Sequence, residues 1–502
     1  MKQPSLKGLS LFAVVSVMTA LILMGVRGYY AISFAEPLQG MTRGAEYEIL
    51  YSIWKYVFGG VVYTDQTRIP YDGSYYNWLF YASYGEVAGL VLKVLSLGDA
   101  WLPTITRLTT FSGLVVGSFF AYLSFADVLE VKDRSLKLLC GAFAVFVFFG
   151  PLIGFFGISA TPDIWPLVLT LIATWIFIRH YDSRPLGAIL MVCVFSYLAW
   201  SFKQNFVYAP ATVGLYLLLR RQWRDAIILT IVLVSAGLIT MAIGGPIYTK
   251  MLHYSGSHIF FTFELLVRNI VNYSVKALPV LAVFAATLVY YSDMRLAVSE
   301  KIKLRPIMLI PFLGFLIAGL EALATGGLQA SSESHFFMFS YYAAFSALAL
   351  LVWLYDKGPL SKAFIVIMAV GWVGNIAGIG TVLTGVQGVL SVRPAHQNLM
   401  AAKSCLTNLR EPFFLSVRYL ALPWMTPAKI PFVVHANYIP DRAAGVKIER
   451  DGIGGLIDQG YFATLAIGKE SNGFDGSGLE LYRPRSEPCG GLIIYDRKGP
   501  ER

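Results

Sequence analysis

Residues 226–248 read AIILTIVLVSAGLITMAIGGPIY, a run of 23 residues without one charged side chain. A helix needs about 20 apolar residues to cross the hydrocarbon core of a bilayer, so this run is long enough to span a membrane. Ten other apolar runs lie near residues 8–31, 103–128, 137–158, 163–180, 187–202, 206–220, 275–293, 306–325, 335–355 and 363–390. We therefore predict an all-α polytopic membrane protein with about 11 transmembrane helices.

The composition supports the same class. Of the 502 residues 56% are hydrophobic and 14% are charged, and the mean hydropathy is +0.61. Soluble domains carry about 25% charged residues, so an ordinary soluble protein is excluded. A net charge of +10 can indicate nucleic acid as a partner. Here the basic residues recur in short clusters between apolar runs, which favours membrane loops and argues against nucleic acid.

The basic clusters also predict an orientation. Alternate loops are rich in lysine and arginine, which places them and the N-terminus in the cytoplasm. With 11 spans, the C-terminus then lies outside. The first run is also compatible with a cleaved signal peptide, but its apolar part, 9–26, exceeds the usual 7–15 residues, so we expect a retained span.

Two outer segments are too long to be turns. The first, about 32–102, contains a probable helix at 44–60 that ends at two glycines, followed by a Pro/Gly/Asp loop at 63–74. An aromatic-rich stretch, 75–95, comes next, as is typical of a segment at the membrane interface. We assign residues 1–390 to a transmembrane module that carries this loop.

The second outer segment, 391–502, has few apolar runs. Residues 431–439 and 490–496 have the pattern of short strands, and 454–468 is compatible with a helix or a strand pair. We predict a small α/β domain outside the membrane.

The four cysteines divide between the two parts of the chain. Cys140 and Cys193 lie in apolar runs, whereas Cys405 and Cys489 lie in the C-terminal segment. This distribution is compatible with one disulfide in an oxidising compartment and equally with two free thiols there.

Motifs of soluble enzymes are absent: the sequence has no P-loop, no HExxH, no CxxC and no GxSxG at a strand-to-helix turn. What remains are polar residues near the outer ends of spans. In GAEYEILYSIW (44–54), Glu46 would lie on the apolar face of the helix, and Glu48, about 200° away, on the polar face. A desolvated carboxylate has a raised pKa and suits a general base, although a helix-start glutamate is also favoured by the helix dipole.

Three further candidates follow along the chain. Asp163 in SATPDIW (159–165) stands where a first-turn aspartate stabilises a helix, but also at the mouth of a span. Lys203 and Gln204 in FKQNF (202–206) offer donors to a phosphate, or the lysine extends to lipid headgroups. His335, before the span 335–355, and Arg268 are weaker candidates.

Taken in order, these features resemble the GT-C superfamily of integral-membrane glycosyltransferases, above all lipid-A aminoarabinose transferases, protein O-mannosyltransferases and rhizobial lipopolysaccharide sugar transferases. The resemblance covers about residues 8–355. The matching features are Glu46, the helix 47–58, GVVYTD (60–65), Pro70, YYNWLFY (75–81), Pro162-Asp163, Lys203-Gln204 and His335-Phe336. The family's acidic motif is usually Asp-Glu or has an Asp nearby, whereas this chain has Ala45-Glu46, so Glu48, Asp65 and Asp72 remain alternative acids.

The resemblance implies a bacterial inner-membrane enzyme that moves a sugar from a polyprenyl-phosphate carrier to an acceptor hydroxyl, with inversion, on the outer face. The acceptor is a lipid, glycan or protein. Glu46 would be the base and Asp163 would orient the acceptor or a donor hydroxyl. Lys203, with Gln204, His335 and Arg268, would bind the donor phosphate. We expect a monomer without a metal cofactor, although carboxylates beside a phosphate can recruit Mg²⁺.

Three other functions stay open. A transporter or flippase also has many spans with isolated polar residues, but would not need two long outer segments. A phosphate-transferring or ligase-type enzyme would use His/Arg clusters, and the chain has only 6 histidines. The third is a non-catalytic scaffold whose outer domain binds a partner.

Overall fold

The computed structural model describes residues 7–32, 46–257, 260–297, 306–328, 333–355, 361–375, 380, 405–426, 428–468, 478–486 and 489–498. The helices are α1 (Lys7–Ile32), α2 (Glu46–Val57), α3 (Trp78–Val94), α4 (Leu102–Tyr122), α5 (Arg134–Phe149), α6 (Ile164–His180), α7 (Pro185–Phe202), α8 (Tyr208–Leu219), α9 (Trp223–Ser257), α10 (Phe263–Lys276), α11 (Leu278–Ala297), α12 (Leu309–Thr325), α13 (Phe337–Tyr355), α14 (Lys362–Asn375), α15 (Tyr438–Ala443) and α16 (Gly452–Asp458). The strands are β1 (Phe413–Leu415), β2 (Thr464–Gly468), β3 (Tyr482–Pro484) and β4 (Leu492–Arg497).

Each predicted apolar run contains one of these helices, which confirms a mostly helical membrane protein. Within the described ranges five helices are long and apolar enough to cross a bilayer, or six if α10 and α11, which meet at 81°, are counted as one broken span. Helices α6, α8 and α14 are apolar but shorter. The number 11 therefore stays a prediction, and residues 376–390 of the last run lie outside the described residues apart from Gly380.

Local sequence explains where several helices begin and bend. Asp133 caps α5, since its side chain accepts a hydrogen bond of 2.9 Å from the Leu136 N–H. Helix α2 ends before Gly59, whose φ of 78° is available to glycine at low cost. The apolar run 226–248 forms most of α9, and this helix breaks at Gly245, which has a φ of 76°, followed by Pro246.

The described part of the first long segment, 46–102, contains two α-helices. The helix predicted at 47–58 is α2, the stretch 75–95 forms α3, and the loop between them has no regular structure. Lys55 of α2 pairs with Asp72 at 2.5 Å and both are buried, so the loop is fastened back onto the helix that precedes it.

The C-terminal segment contains a four-stranded sheet of order β1-β2-β4-β3, in which β1 and β2 are parallel and the other pairs antiparallel. The strand predicted at 490–496 is β4, and the helix-or-strand segment 454–468 contains both α16 and β2. The strand predicted at 431–439 is wrong: residues 431–435 have no regular structure, and α15 begins at Tyr438.

Cys405 and Cys489 form a disulfide, with Cα atoms 6.1 Å apart, whereas Cys140 and Cys193 are free and buried. One hydrophobic core joins the first outer segment to the sheet. It includes Leu50 of α2, Tyr84 of α3, Leu415 of β1 and Ile494 of β4. The C-terminal segment therefore packs against the outer loop of the helical bundle.

Candidate functional site

Glu46 is anchored in a buried ion pair. Its carboxylate accepts hydrogen bonds from Arg107 Nε at 3.1 Å, from Arg107 Nη2 at 3.0 Å and from the Ala160 N–H at 2.8 Å. Neither side chain is exposed. The helix-start position and the apolar face predicted for Glu46 are therefore explained by a contact that ties α2 to α4 and to the loop before α6. This geometry favours an anchor over a base.

Glu48 points to a different part of the chain. Its Oε2 atom accepts a hydrogen bond of 2.8 Å from the Ala436 N–H, and it is buried. The neighbouring Tyr47 hydroxyl donates to the Val434 carbonyl at 2.9 Å. Helix α2 therefore binds the backbone of the C-terminal segment with one face and the membrane bundle with the other.

A chain of polar side-chain contacts lies beside these residues. The Tyr75 hydroxyl hydrogen-bonds His435 Nδ1, and His435 Nε2 lies 3.7 Å from Asp441 Oδ2. Burial, together with the nearby Glu48 and Asp441 charges, raises the pKa of Tyr75 far above its usual value, so its phenol stays protonated. Gln204 Nε2 donates to the Tyr75 carbonyl at 2.9 Å. Gln204 thus connects the bundle to the outer loop.

Asp163 and Lys203 form the first half of the candidate site. Lys203 Nζ donates to Asp163 Oδ1 at 2.7 Å, and their side chains are 16% and 6% exposed. Asp163 directly precedes α6 and Lys203 follows α7, so the pair lies where two apolar helices meet at one end of the bundle. Among the described residues only Oδ1 of Asp163 has a hydrogen-bond partner, which leaves Oδ2 available to a substrate.

Glu321 and His335 form the second half. His335 Nδ1 lies 3.5 Å from Glu321 Oε1 and 2.7 Å from the Thr325 hydroxyl, which donates to the same carboxylate oxygen at 3.1 Å. Asn205 Nδ2 lies 3.4 Å from Glu321 Oε1. Because Asn205 is two residues from Lys203, the two halves adjoin.

Two tyrosines lie near Asp163. Tyr208, at the start of α8, lies near both Glu321 and Asp163. Tyr76 lies near Asp163 and Glu48, and burial first, then these charges, raises its pKa far above the usual value. The Tyr76 phenol can therefore act as a hydrogen-bond donor at neutral pH. The site combines two carboxylates, one lysine, one histidine and these phenols.

The other predicted site residues lie elsewhere. Asp72 is occupied by Lys55 and by the Thr64 hydroxyl at 2.8 Å. Asp65 pairs with Lys250 at 2.9 Å on the outer loop. Arg268 is exposed on α10 and takes part in no salt bridge among the described residues. The structure brings together Asp163, Lys203 and His335, with Gln204 adjoining.

Sequence reasoning missed Arg107, Glu321 and His435. A signal existed for Glu321, because an acidic residue inside an apolar run such as 306–325 is costly unless it is paired or functional. Nothing local identifies Arg107 as the partner of Glu46, 61 residues away. Among the described residues no three His, Cys, Asp or Glu side chains are grouped so as to hold a metal ion.

An apolar groove of about 380 Å³ lies between α7, α9 and the outer loop. Trp78, Tyr197, Ile243 and Tyr248 line it, together with Tyr63. Tyr248 also hydrogen-bonds Asn77, whose Nδ2 donates to the Trp200 carbonyl at 2.7 Å, near the end of α7 that leads to Lys203. The groove therefore lies on the same side of the bundle as the polar site.

Comparison with solved structures shows a GT-C fold for the chain. Two of the similar structures are those of ArnT, a GT-C lipid-A aminoarabinose transferase, from Cupriavidus metallidurans. The apo form matches with a TM-score of 0.58 and 12% identity, over 97% of this chain and 99% of that one. The form bound to undecaprenyl phosphate matches with 0.52 and 12%, over 99% and 100%.

No protein-family model matches the chain, and no curated protein matches its sequence. The predicted resemblance to GT-C enzymes is therefore confirmed at the level of the fold.

Proposed function

We propose that the protein is an inverting membrane glycosyltransferase that takes a sugar from a polyprenyl-phosphate carrier and transfers it to an acceptor hydroxyl. The observation that carries this proposal is the Asp163–Lys203 pair with Glu321 and His335 beside it, at one end of a GT-C bundle. The neighbouring fold of ArnT, crystallised with undecaprenyl phosphate, supports a lipid phosphate as ligand.

The pair fits the two charge changes of the reaction. The acceptor oxygen must lose a proton as it attacks the anomeric carbon, and the carrier phosphate must leave with an added negative charge. Asp163 Oδ2 would take the proton. Lys203 has three N–H donors, so it can keep its bond to Asp163 and bind the departing phosphate at the same time. Because Arg107 binds the Glu46 carboxylate, we propose Asp163 as the general base in place of Glu46.

His335 and Glu321 would bind the sugar or the phosphate from the opposite wall, with Asn205 between the two halves. The carrier's isoprenoid chain would lie in the groove at Trp78 and Tyr248, since an apolar chain gains free energy by leaving water and needs no polar partner. The disulfide supports an outer location for the C-terminal segment, because disulfides persist in oxidising compartments.

The test is sugar transfer from synthetic polyprenyl-phosphate donors, measured in membranes with matched expression. A general base contributes about 10²–10⁴-fold, so Asp163→Asn should lose at least two decades of turnover. Lys203→Ala should lose donor binding as well. The control is Asp127→Asn, an exposed carboxylate beyond the far end of α4, which should keep its activity.

If Asp163→Asn transfers sugar within tenfold of wild type, Asp163 is not the base. If the wild type transfers nothing from any of these donors and instead moves polyprenyl phosphate across the bilayer, the protein is a transporter.

A further inference from the structure

One buried cation is not used by the site described above. Arg27, five residues before the end of α1, is 1% exposed. Among the described residues its Nε and Nη1 atoms have no hydrogen-bond partner, and it takes part in no salt bridge there. The Phe155 ring lies 5.9 Å from its guanidinium carbon.

That ring cannot compensate for the buried charge. A cation–π contact is weaker than the cost of burying an ion, even after relaxation of the surroundings. Buried guanidinium groups are therefore normally paired with a carboxylate or a phosphate. Arg107 shows the usual solution in this same molecule, since Glu46 binds it with two oxygens. Arg27 is buried to the same degree, but no carboxylate among the described residues binds it.

Space for an anion lies beside the guanidinium. A Cβ atom added at Gly154 would come within 4 Å of only one described atom, Arg27 Nη1 at 3.8 Å. Gly28, the next residue of α1, is buried, yet a Cβ there would meet only Ile32 of the same helix, at 3.9 Å. Among the described residues, no side chain other than Arg27 reaches the space that a Cβ at Gly154 would enter.

The position of Arg27 decides what kind of anion can reach it. The neighbouring turn of α1 exposes Ile22 and Val26, as expected for a helix that faces lipid. At 1.5 Å per residue, Arg27 lies about 7–8 Å inside the end of α1. The Thr104 hydroxyl donates to the Ile32 carbonyl at that end, which ties it to the start of α4 near Arg107. An anion that enters here must be part of an amphiphile.

We propose that Arg27 is the centre of a second anion site, which binds the phosphate of a membrane lipid. A guanidinium matches phosphate oxygens with two parallel N–H donors, which an ammonium cannot do. The site contains none of the residues assigned to sugar transfer and does not depend on that function. Its ligand is a polyprenyl phosphate or a phospholipid, which present the same group.

The experiment uses the full chain in detergent, stripped of lipid. Undecaprenyl phosphate, phosphatidylglycerol and, as the uncharged control, diacylglycerol are titrated separately. Bound lipid is counted by native mass spectrometry and the Tm is followed in parallel. The proteins are wild type, Arg27→Gln, Arg27→Lys and Lys203→Ala.

We expect a phosphate-bearing lipid to bind wild type and raise its Tm, and diacylglycerol to do neither. Arg27→Gln should weaken this binding at least tenfold, the factor expected when a charge-assisted hydrogen bond is lost. Arg27→Lys, which keeps the charge without the fork, should fall between the two. Lys203→Ala should retain the site, so failure of the transferase mechanism would leave this result intact. A response to phosphatidylglycerol identifies bulk lipid as the source, and a response to undecaprenyl phosphate alone identifies the carrier.

Equal lipid binding by wild type and both Arg27 variants would overturn the proposal. So would an Arg27→Gln variant with a higher Tm than wild type at every lipid concentration, because Arg27 would then be an uncompensated charge whose removal stabilises the fold.

Discussion

Replacement of Glu46 by glutamine separates an anchor from a base. The two side chains have nearly the same shape, so the substitution removes the charge and leaves the volume. The substitution would take from Arg107 the carboxylate that binds it through both oxygens, at a place where neither side chain is exposed. Breaking a buried ion pair in this way costs about 3–5 kcal/mol.

The measurements are thermal unfolding of the purified chain and turnover per folded molecule. At about 2 °C per kcal/mol or less for a chain of this length, the Tm of Glu46→Gln should fall by several degrees. Sugar transfer by the molecules that remain folded should stay within tenfold of wild type. In the double variant Glu46→Gln/Arg107→Gln, much of the loss should be recovered, with a coupling of about 1–3 kcal/mol.

The reasoning is refuted by the opposite pattern. If Glu46→Gln keeps the wild-type Tm and loses two or more decades of turnover, the carboxylate takes part in the reaction and the base does not move to Asp163.

Three further results are expected. The Cys405–Cys489 disulfide closes a loop over a sequence separation of 84 residues. Its reduction should destabilise the C-terminal segment by up to about 4–5 kcal/mol. We expect faster proteolysis of that segment alone, and unchanged proteolysis would contradict the prediction. The Arg485 hydrogen bond, opposed by partial burial, lowers the pKa of Asp496 below 3.8. The stability that this carboxylate contributes is therefore complete above pH 3.8 and is lost as the pH falls through the lowered pKa. Acid unfolding of Arg485→Gln should begin at higher pH than that of wild type, and coincident unfolding curves would exclude the effect. Glu321→Gln should raise the donor KM with a smaller change in kcat, and a change in kcat alone would place Glu321 in the chemical step instead.

The sequence predicts most of the fold because the membrane leaves few alternatives. A run such as 226–248 can only be a helix where no water is available to its backbone, and helix α9 contains it. The amphipathic pattern of 44–60 likewise predicts α2, Glu46–Val57, within three residues at each end. These features are local and need no knowledge of a partner.

The sequence does not show which distant residues contact each other. The apolar pattern correctly predicts a buried face for Glu46. No spacing in the sequence identifies Arg107 as the residue that binds its carboxylate. Residues 431–435 have the extended, β-branched pattern of a strand, yet the His435 N–H bonds the Tyr71 carbonyl of the outer loop in place of a sheet neighbour. In both cases the decisive contact comes from a distant part of the chain.

The contacts of Tyr47 and Glu48 with residues 434–436 have a consequence for biosynthesis. They join positions 387 and 388 residues apart. At a synthesis rate of about 5–20 residues per second, helix α2 waits about 20–80 s for its partner to be made. During that interval helix α2 lacks its contacts with residues 434–436, and a chain that ends before these residues never forms the contacts. Synthesis past residue 436 is therefore required before helix α2 forms all of its contacts.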